Sequence, residues 1–515
     1  MSAHQKSIDF ADEWICDPVL QAGLAVVFTT GLAFTIIWIM TWWRFTTNLN
    51  RLRRTGSACI SDMLRKEKGQ ELEMSKKALP KVSVLLPVKG VHSMSVHNWQ
   101  HQMESTHGGE VEFIFCMEST EDPAYEAVKR FRAARNSDTS RKGQGGEIKI
   151  VVAGLSFHSS QKIHNLLEGV KHMNPLSDYV LFLDDDAEMR PVIMRDMIFH
   201  LEEDPSVLVV TGYPHEYIAP TTKSVSFAAY MLLGYRKLAY LNICLLHPPA
   251  LWGGCLMLRR RELVDSNIGI LEAWRERGYS DDMILGGRVH RLHRRMCHPT
   301  TCVLSTEVDP AYSFAKHFNY IRRQMFVLET YSDMTDKTQN YILLVLVCIF
   351  VLSIALIFHI VSLYFVVRIA ARVLAGNSTL SSDSYCGFFM APPLVLESMM
   401  VANCACSFFM SMQCDSIINQ TCQFVSDRPD KFVHRQNYFM VLFGSFVGFM
   451  GNLAVQSSSA IATLFTDSIV WSGVTYYQKH GKVEAVWRKD SQGKPYTVPA
   501  HESMQRSLQT NTVIE

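Results

Sequence analysis

At 515 residues the chain has room for two or more domains. Lys plus Arg (50) nearly cancel Asp plus Glu (49), so the charge balance excludes a nucleic acid or other polyanion as the governing partner. Hydrophobic residues reach 48% and gather in long runs toward the ends, and thirteen cysteines over such a length exclude a secreted disulfide framework.

Residues 1–18 are polar and acid-leaning and read as a luminal N-terminus. Residues 19–43 carry no charge, enough to span a bilayer with some tilt, and Trp42-Trp43 stand where an interfacial aromatic belt would. The run is too long for a signal-peptide core and no small-residue cleavage site closes it, so it reads as a retained anchor. Arg44, Arg51, Arg53, Arg54, Arg65, Lys66 and Lys68 follow it, against Lys6 alone in front. That bias places the N-terminus in the lumen and the bulk of the chain in the cytosol. Residues 44–80 read as a basic juxtamembrane helix ending at Pro80.

Strands are expected at 82–86, 111–115, 148–152, 179–183 and 207–210, with helices from Pro123 and over 162–173 and a polar, Gly-rich loop at 133–146. The alternation argues an α/β domain over 81–315 with a mostly parallel sheet covered on both faces. Leu251-Trp-Gly253-Gly254-Cys255 breaks the pattern. Residues 316–340 mix Arg322-Arg323 with Phe318, Tyr320, Met325 and Phe326, which suits an amphipathic segment in a membrane interface. A C-terminal membrane region follows over 341–476, with spans expected at 341–367, 387–412 and, crossing once or twice, 439–471. Glu397 should face protein rather than lipid. The loop 368–386 then falls in the lumen with the sequon Asn377-Ser-Thr379, and 477–515 reads as a polar tail.

The chemistry gathers where Tyr179-Val-Leu-Phe-Leu183 runs into Asp184-Asp185-Asp186. Five apolar residues without Gly or Pro read as a strand buried on both faces. Three carboxylates then emerge at the strand end where open α/β sheets bind ligands. Together they favour a divalent cation that in turn holds phosphate oxygens. A solvated acidic turn is the plain alternative. The acidic motif of isoprenoid enzymes also fits Asp184-Asp185-x-x-Glu188, but it needs a helix, whereas this run is strand-like and followed by Pro191.

Pro87-Val-Lys-Gly90, Glu121-Asp122-Pro-Ala124, Lys162-Ile-His-Asn165-Leu, Leu183-Asp184-Asp-Asp186 and Ser280-Asp281-Asp282 resemble the successive motifs of the ceramide glucosyltransferase family. The resemblance covers roughly 80–330 and extends loosely to Ile469-Val-Trp-Ser-Gly-Val-Thr-Tyr476, with details nearest the plant and algal branch. It implies a glycosyltransferase-A-type domain related to hyaluronan and cellulose synthases, one N-terminal and several C-terminal transmembrane helices, and a place in Golgi or ER membranes. It implies Mg²⁺ or Mn²⁺ with a UDP-sugar donor, and transfer from UDP-glucose to ceramide in the bilayer. Asp122 is then expected at the uridine, with Lys89, Asp184, Lys162 and Arg323 also on the donor, and Asp184 with Asp186 on the metal. Asp282 is the expected base, with Asp281 beside it. Of the family's closing motif, Asn319-Tyr-Ile-Arg322-Arg323 retains only Arg322, the expected catalytic arginine; a headgroup-binding patch is the other reading of this pair.

Direct displacement needs a neutralised diphosphate leaving group and one carboxylate on the acceptor hydroxyl. It inverts the anomeric centre, and no separate nucleophile nominates itself for a retaining route. Asp281 in place of Asp282, as base or as helix cap, stays open. Two other functions stay open too: a processive polysaccharide synthase, and a transporter or scaffold with a nucleotide-binding domain.

Overall fold

The computed structural model describes residues 17–57, 59–67, 79–104, 107–137, 146–190, 192–219, 222, 224–244, 251–374, 393–426, 438–489 and 495–496. The expected luminal segment up to residue 16, most of the Gly-rich loop, the sequon at Asn377 and the end of the polar tail lie outside them.

The expected strands form as β1 (Val82–Pro87), β2 (Val111–Met117), β3 (Glu147–Val152), β4 (Tyr179–Leu183) and β5 (Val207–Thr211). After β6 (Tyr213–Tyr217) come β7 (Cys255–Arg259), β8 (Arg295–Cys297) and β9 (Val303–Glu307). Seven of them make one sheet in the order β3-β2-β1-β4-β7-β5-β8, while β6 and β9 pair separately. β1 runs parallel to both β2 and β4, and β2 to β3. β7 inserts antiparallel between β4 and β5, so the sheet is mixed rather than wholly parallel. Its source is the stretch that breaks the sequence pattern: Gly253-Gly254 turns the chain, and Cys255-Leu-Met-Leu258 then enters the core on both faces.

All five residues of β4 are buried, as their unbroken apolar run requires. Leu183 pairs with Cys255, and Asp184 N still donates to Gly254 O at 2.9 Å, so the ladder grips β4 up to its first carboxylate. Because β1 and β4 are parallel neighbours, the loops leaving them open at the same edge. The chain order reverses between them, the position at which such sheets leave a crevice.

Four helices are long and apolar enough to cross a membrane: Pro18–Thr55, Met334–Leu374, Leu394–Val425 and Val441–Thr463. The first, α1 (Pro18–Thr55), is capped by Asp17, which accepts from Val19 N and Leu20 N, and it ends at Gly56 in the left-handed region. At 38 residues it extends about 57 Å. Arg44 to Arg54 therefore ride on the anchor helix itself rather than on the separate juxtamembrane helix expected over 44–80, and a short helix, Ile60–Glu67, follows. Glu397 is fully buried between Arg368 and Arg372, at 3.0 and 2.8 Å.

One expectation is overturned beyond Thr463. The apolar stretch read as the end of a span, and the start of the polar tail, fold as the antiparallel strands β10 (Ser468–Trp471), β11 (Val474–Lys479), β12 (Lys482–Lys489) and β13 (Pro495–Tyr496). Val474 and Tyr476 on one face of β11, with Val483 and Val486 of β12, pack into a small core with Tyr279 and Phe326. Ser472-Gly473 and His480-Gly481 all have positive φ, from 48° to 79°, which is what two-residue hairpin turns demand.

Candidate active site

The loops after β1 and β4 enclose a cleft of about 270 Å³. Lys89 and Asp184, Asp185 and Asp186 line one part of it, and Lys162 and Asn165 another. Arg323, Trp471 and Tyr476 close it from the far side. The C-terminal hairpin is thus a wall of the site, which the sequence reading missed. The signal was present as two X-Gly turns between alternating runs.

Lys162 joins the separate motifs. It lies in the first turn of α2 (Gln161–Lys171), whose N-terminus is capped by Ser160 Oγ accepting from Ile163 N at 3.3 Å. Gln161 N, in the same turn, donates to Tyr476 Oη at 3.2 Å, so the hairpin helps hold this helix end. Lys162 Nζ lies 2.9 Å from Asp184 Oδ1 and 3.3 Å from Asp281 Oδ2, and donates to Gly253 O at 3.0 Å. Burial works against its charge, but Asp184 and then Asp281 outweigh that and raise its pKa above the ordinary lysine value.

Asp281 and Asp282 open α3 (Asp281–Arg291). The Asp281 carboxyl is pushed up to about 6, chiefly by burial; Lys162 pulls it down, and Asp282 and Asp184 add to the rise. Asp282 is ringed by donors: Gly253 N reaches Oδ2 at 3.0 Å, Met283 N reaches Oδ1 at 2.8 Å, and Ser280 Oγ also donates to Oδ1. A Cβ on Gly253 would stand 3.1–3.3 Å from oxygens of both carboxylates, so a side chain here would push the pair away by a few tenths of an ångström. Asp282 also walls a smaller cavity of about 40 Å³ shared with Gly286, Gly287, Asp336 and Asn340, where α3 meets the start of the second membrane helix.

The carboxylate turn is electrostatically crowded. Asp185 is raised well above the ordinary carboxylate value, by burial first and then by Asp186 and Asp184. Asp186 is raised as well, by the protein packed around it and then by Asp184. Within the turn Lys162 pairs directly with Asp184, while His92, Arg236 and Lys162 act on Asp186 through space. An all-oxygen donor set fits a hard divalent cation.

Other expected residues are placed differently. Lys89 lines the cleft but is paired with Glu118 at 2.9 Å, and Arg488 reaches the same carboxylate at 3.2 Å. Asp122 is buried behind the loop after β1, where its Oδ1 accepts from Gly90 N at 2.9 Å and Ala124 N at 2.8 Å. The two arginines face different ways. Arg322 Nη2 points to Thr466 Oγ1 at 3.4 Å, whereas Arg323 lines the cleft between the rings of Trp471 (4.9 Å) and Tyr320 (5.3 Å). Consecutive residues on a helix differ by about 100° in direction, and the helix Phe314–Phe326 is oriented by burying His317, Ile321 and Met325.

A mixed sheet of this order, with a carboxylate turn at its crevice, stands beside four helices long and apolar enough to cross a bilayer. Residues 53–411 match Glycosyl transferase family 21, the ceramide glucosyltransferase family, and the chain belongs to it. Among solved structures it is similar to a mannosyltransferase from Pyrobaculum calidifontis in complex with GDP-Man and Mn²⁺. The two are 12% identical over 86% of this chain and 99% of that one, with a TM-score of 0.39. It is also similar to S. aureus TarS 1–349 (11% identity, 79% and 98% covered, TM-score 0.28). A third likeness is to M. tuberculosis glucosyl-3-phosphoglycerate synthase (13% identity, 47% and 76% covered, TM-score 0.28).

Proposed function

We propose that the protein transfers glucose from UDP-glucose to the primary hydroxyl of ceramide with inversion, giving β-glucosylceramide at the cytosolic face of Golgi or ER membranes. Family membership supports the substrate pair, and the basic residues that follow the first span support the orientation. The observation that carries the mechanism is Lys162, whose one ammonium touches both Asp184 and Asp281. It brings the diphosphate turn and the carboxylate pair of α3 to one place, as direct displacement requires.

Asp184 and Asp186 would hold Mg²⁺ or Mn²⁺, which when bound neutralises charge developing on the UDP leaving group. Arg323, stacked between two rings, faces the same charge with a guanidinium suited to bidentate contact. Asp122 shapes the loop after β1, and a uridine contact has to use its second oxygen. Asp282 accepts the acceptor's proton. It lines the small cavity beside the start of the second membrane helix, and the lipid alcohol would reach it there. Asp281, turned to Lys162 instead, holds the lysine in place.

The polysaccharide-synthase alternative needs open polar groups along the spans. Here Glu397 is closed off by two arginines, and Gln456 accepts from Asn452 Nδ2 at 3.2 Å, which favours a single-transfer enzyme. Membranes containing the protein, incubated in turn with UDP-glucose and UDP-galactose plus short-chain ceramide, should yield a glycosylated lipid with UDP-glucose and none with UDP-galactose. Label recovered only as precipitable polysaccharide, or in no product, would overturn the reading.

A further inference from the structure

Two residues beyond Asp186 stands Glu188, buried at 5% exposure. Its backbone is locked to Ser305: Glu188 N donates to Ser305 O at 2.8 Å, and Ser305 N returns a bond to Glu188 O at 3.1 Å. Against its carboxylate lies the helix Ser95–Glu104, on which His97 and His101, four residues apart, share a face. His97 Nε2 is 3.4 Å from Glu188 Oε2, and the two imidazole rings are 4.4 Å apart between centres. One ligand atom from each of the three residues lies within 4.8 Å of the other two. The helix is held firmly: Trp99 and Met103 are fully buried, and Gln102 Nε2 donates to Asp184 O at 2.9 Å and Ala187 O at 2.7 Å.

We propose that His97, His101 and Glu188 form a second divalent-metal site, for Zn²⁺ or a similar imidazole-preferring ion, separate from the Asp184–Asp186 turn. Two imidazole nitrogens and a carboxylate oxygen are a donor set that selects Zn²⁺ over Mg²⁺ or Mn²⁺, which prefer oxygen. Zn–N bonds of about 2.0–2.1 Å put tetrahedral ligands roughly 3.4 Å apart. The His97–Glu188 pair already has that spacing, and side-chain rotation of about 1.5 Å closes the widest of the others. Glu104 Oε2, 3.6 Å from His101 Nδ1, is the kind of outer carboxylate that orients a ligating imidazole. A bound ion would tie this helix to the residues following the diphosphate turn, which Gln102 already grips from the same helix. The site does not depend on which sugar or lipid the enzyme uses.

The test uses purified full-length protein with saturating Mg²⁺, titrated with Zn²⁺ and separately with Co²⁺. Wild type should bind one Zn²⁺ per chain more than His97→Gln or Glu188→Gln, and should show a tetrahedral Co²⁺ visible band that both variants lose. Mn²⁺-dependent UDP binding should persist in both, which reports that they are folded. His97 is the more exposed ligand, so His97→Gln carries the comparison if the buried Glu188 position does not tolerate change. Equal zinc content in wild type and His97→Gln, or none in either, overturns the proposal and leaves the contact as an ion pair.

Discussion

Replacing Asp282 by Asn removes a charge from a carboxylate that three donors surround, so the change is not structurally silent. Gly253 N and Met283 N approach different oxygens of Asp282, at 3.0 and 2.8 Å. An amide offers one acceptor, so in either orientation one backbone N–H faces an NH₂ group. A buried donor left unpaired costs about 1–3 kcal/mol, which a thermal melt reports as a shift of a few degrees. The Ser280 hydroxyl can rotate and contributes little to that cost. Loss of the proton acceptor is a separate effect, expected to lower kcat by about 10²–10⁴-fold. At about 1.4 kcal/mol per tenfold, that is roughly 3–5.5 kcal/mol of transition-state stabilisation. The assay is turnover of labelled UDP-glucose on short-chain ceramide, with UDP affinity and the melt measured on the same preparations. Asp282→Asn should bind UDP with near wild-type affinity, melt slightly lower and turn over far more slowly. If its kcat stays within about tenfold of wild type while Asp281→Asn is dead, the reasoning is refuted and the base is Asp281.

Lys162→Met leaves Asp184 and Asp281 without the ammonium between them; breaking a buried pair costs about 3–5 kcal/mol, so the melt and UDP binding should both fall, and an unchanged melt would show that the lysine is not structural. Arg323→Lys should lose most activity, because an ammonium cannot fill the planar slot between Tyr320 and Trp471, whereas Arg322→Lys should retain much of it. Equal losses from the two would restore the headgroup-patch reading. As pH falls through about 6, Asp281 takes up a proton and Lys162 loses one of its two carboxylates. kcat/KM should therefore decline on the acid side near that pH, and the residual activity of Asp281→Asn should lack this limb; a limb that survives the substitution belongs to another group.

What was legible in advance was whatever short-range pattern encodes. Tyr179–Leu183 announced a strand buried on both faces because nothing in it tolerates water, and the three carboxylates announced that it ends at the sheet's crevice. Charge-free runs of membrane-spanning length announced the helices, because that signal is a sum over one segment. The hairpins at Ser472-Gly473 and His480-Gly481 were written in local turn chemistry too, but the apolar run 469–471 reads equally as the end of a span. Only the surrounding core of Tyr279 and Phe326 decides between the two. The insertion of β7 between β4 and β5 has no local signature, since strand pairing joins backbone groups far apart in the chain. The same holds for which of Arg322 and Arg323 lines the cleft, which turns on how a whole helix is rotated by the residues it buries. It holds most clearly for Lys162. Its sequence neighbourhood shows that it begins a helix, and the family resemblance expects it at the donor, but its place between Asp184 and Asp281 exists because the sheet order brings three distant loops to one edge.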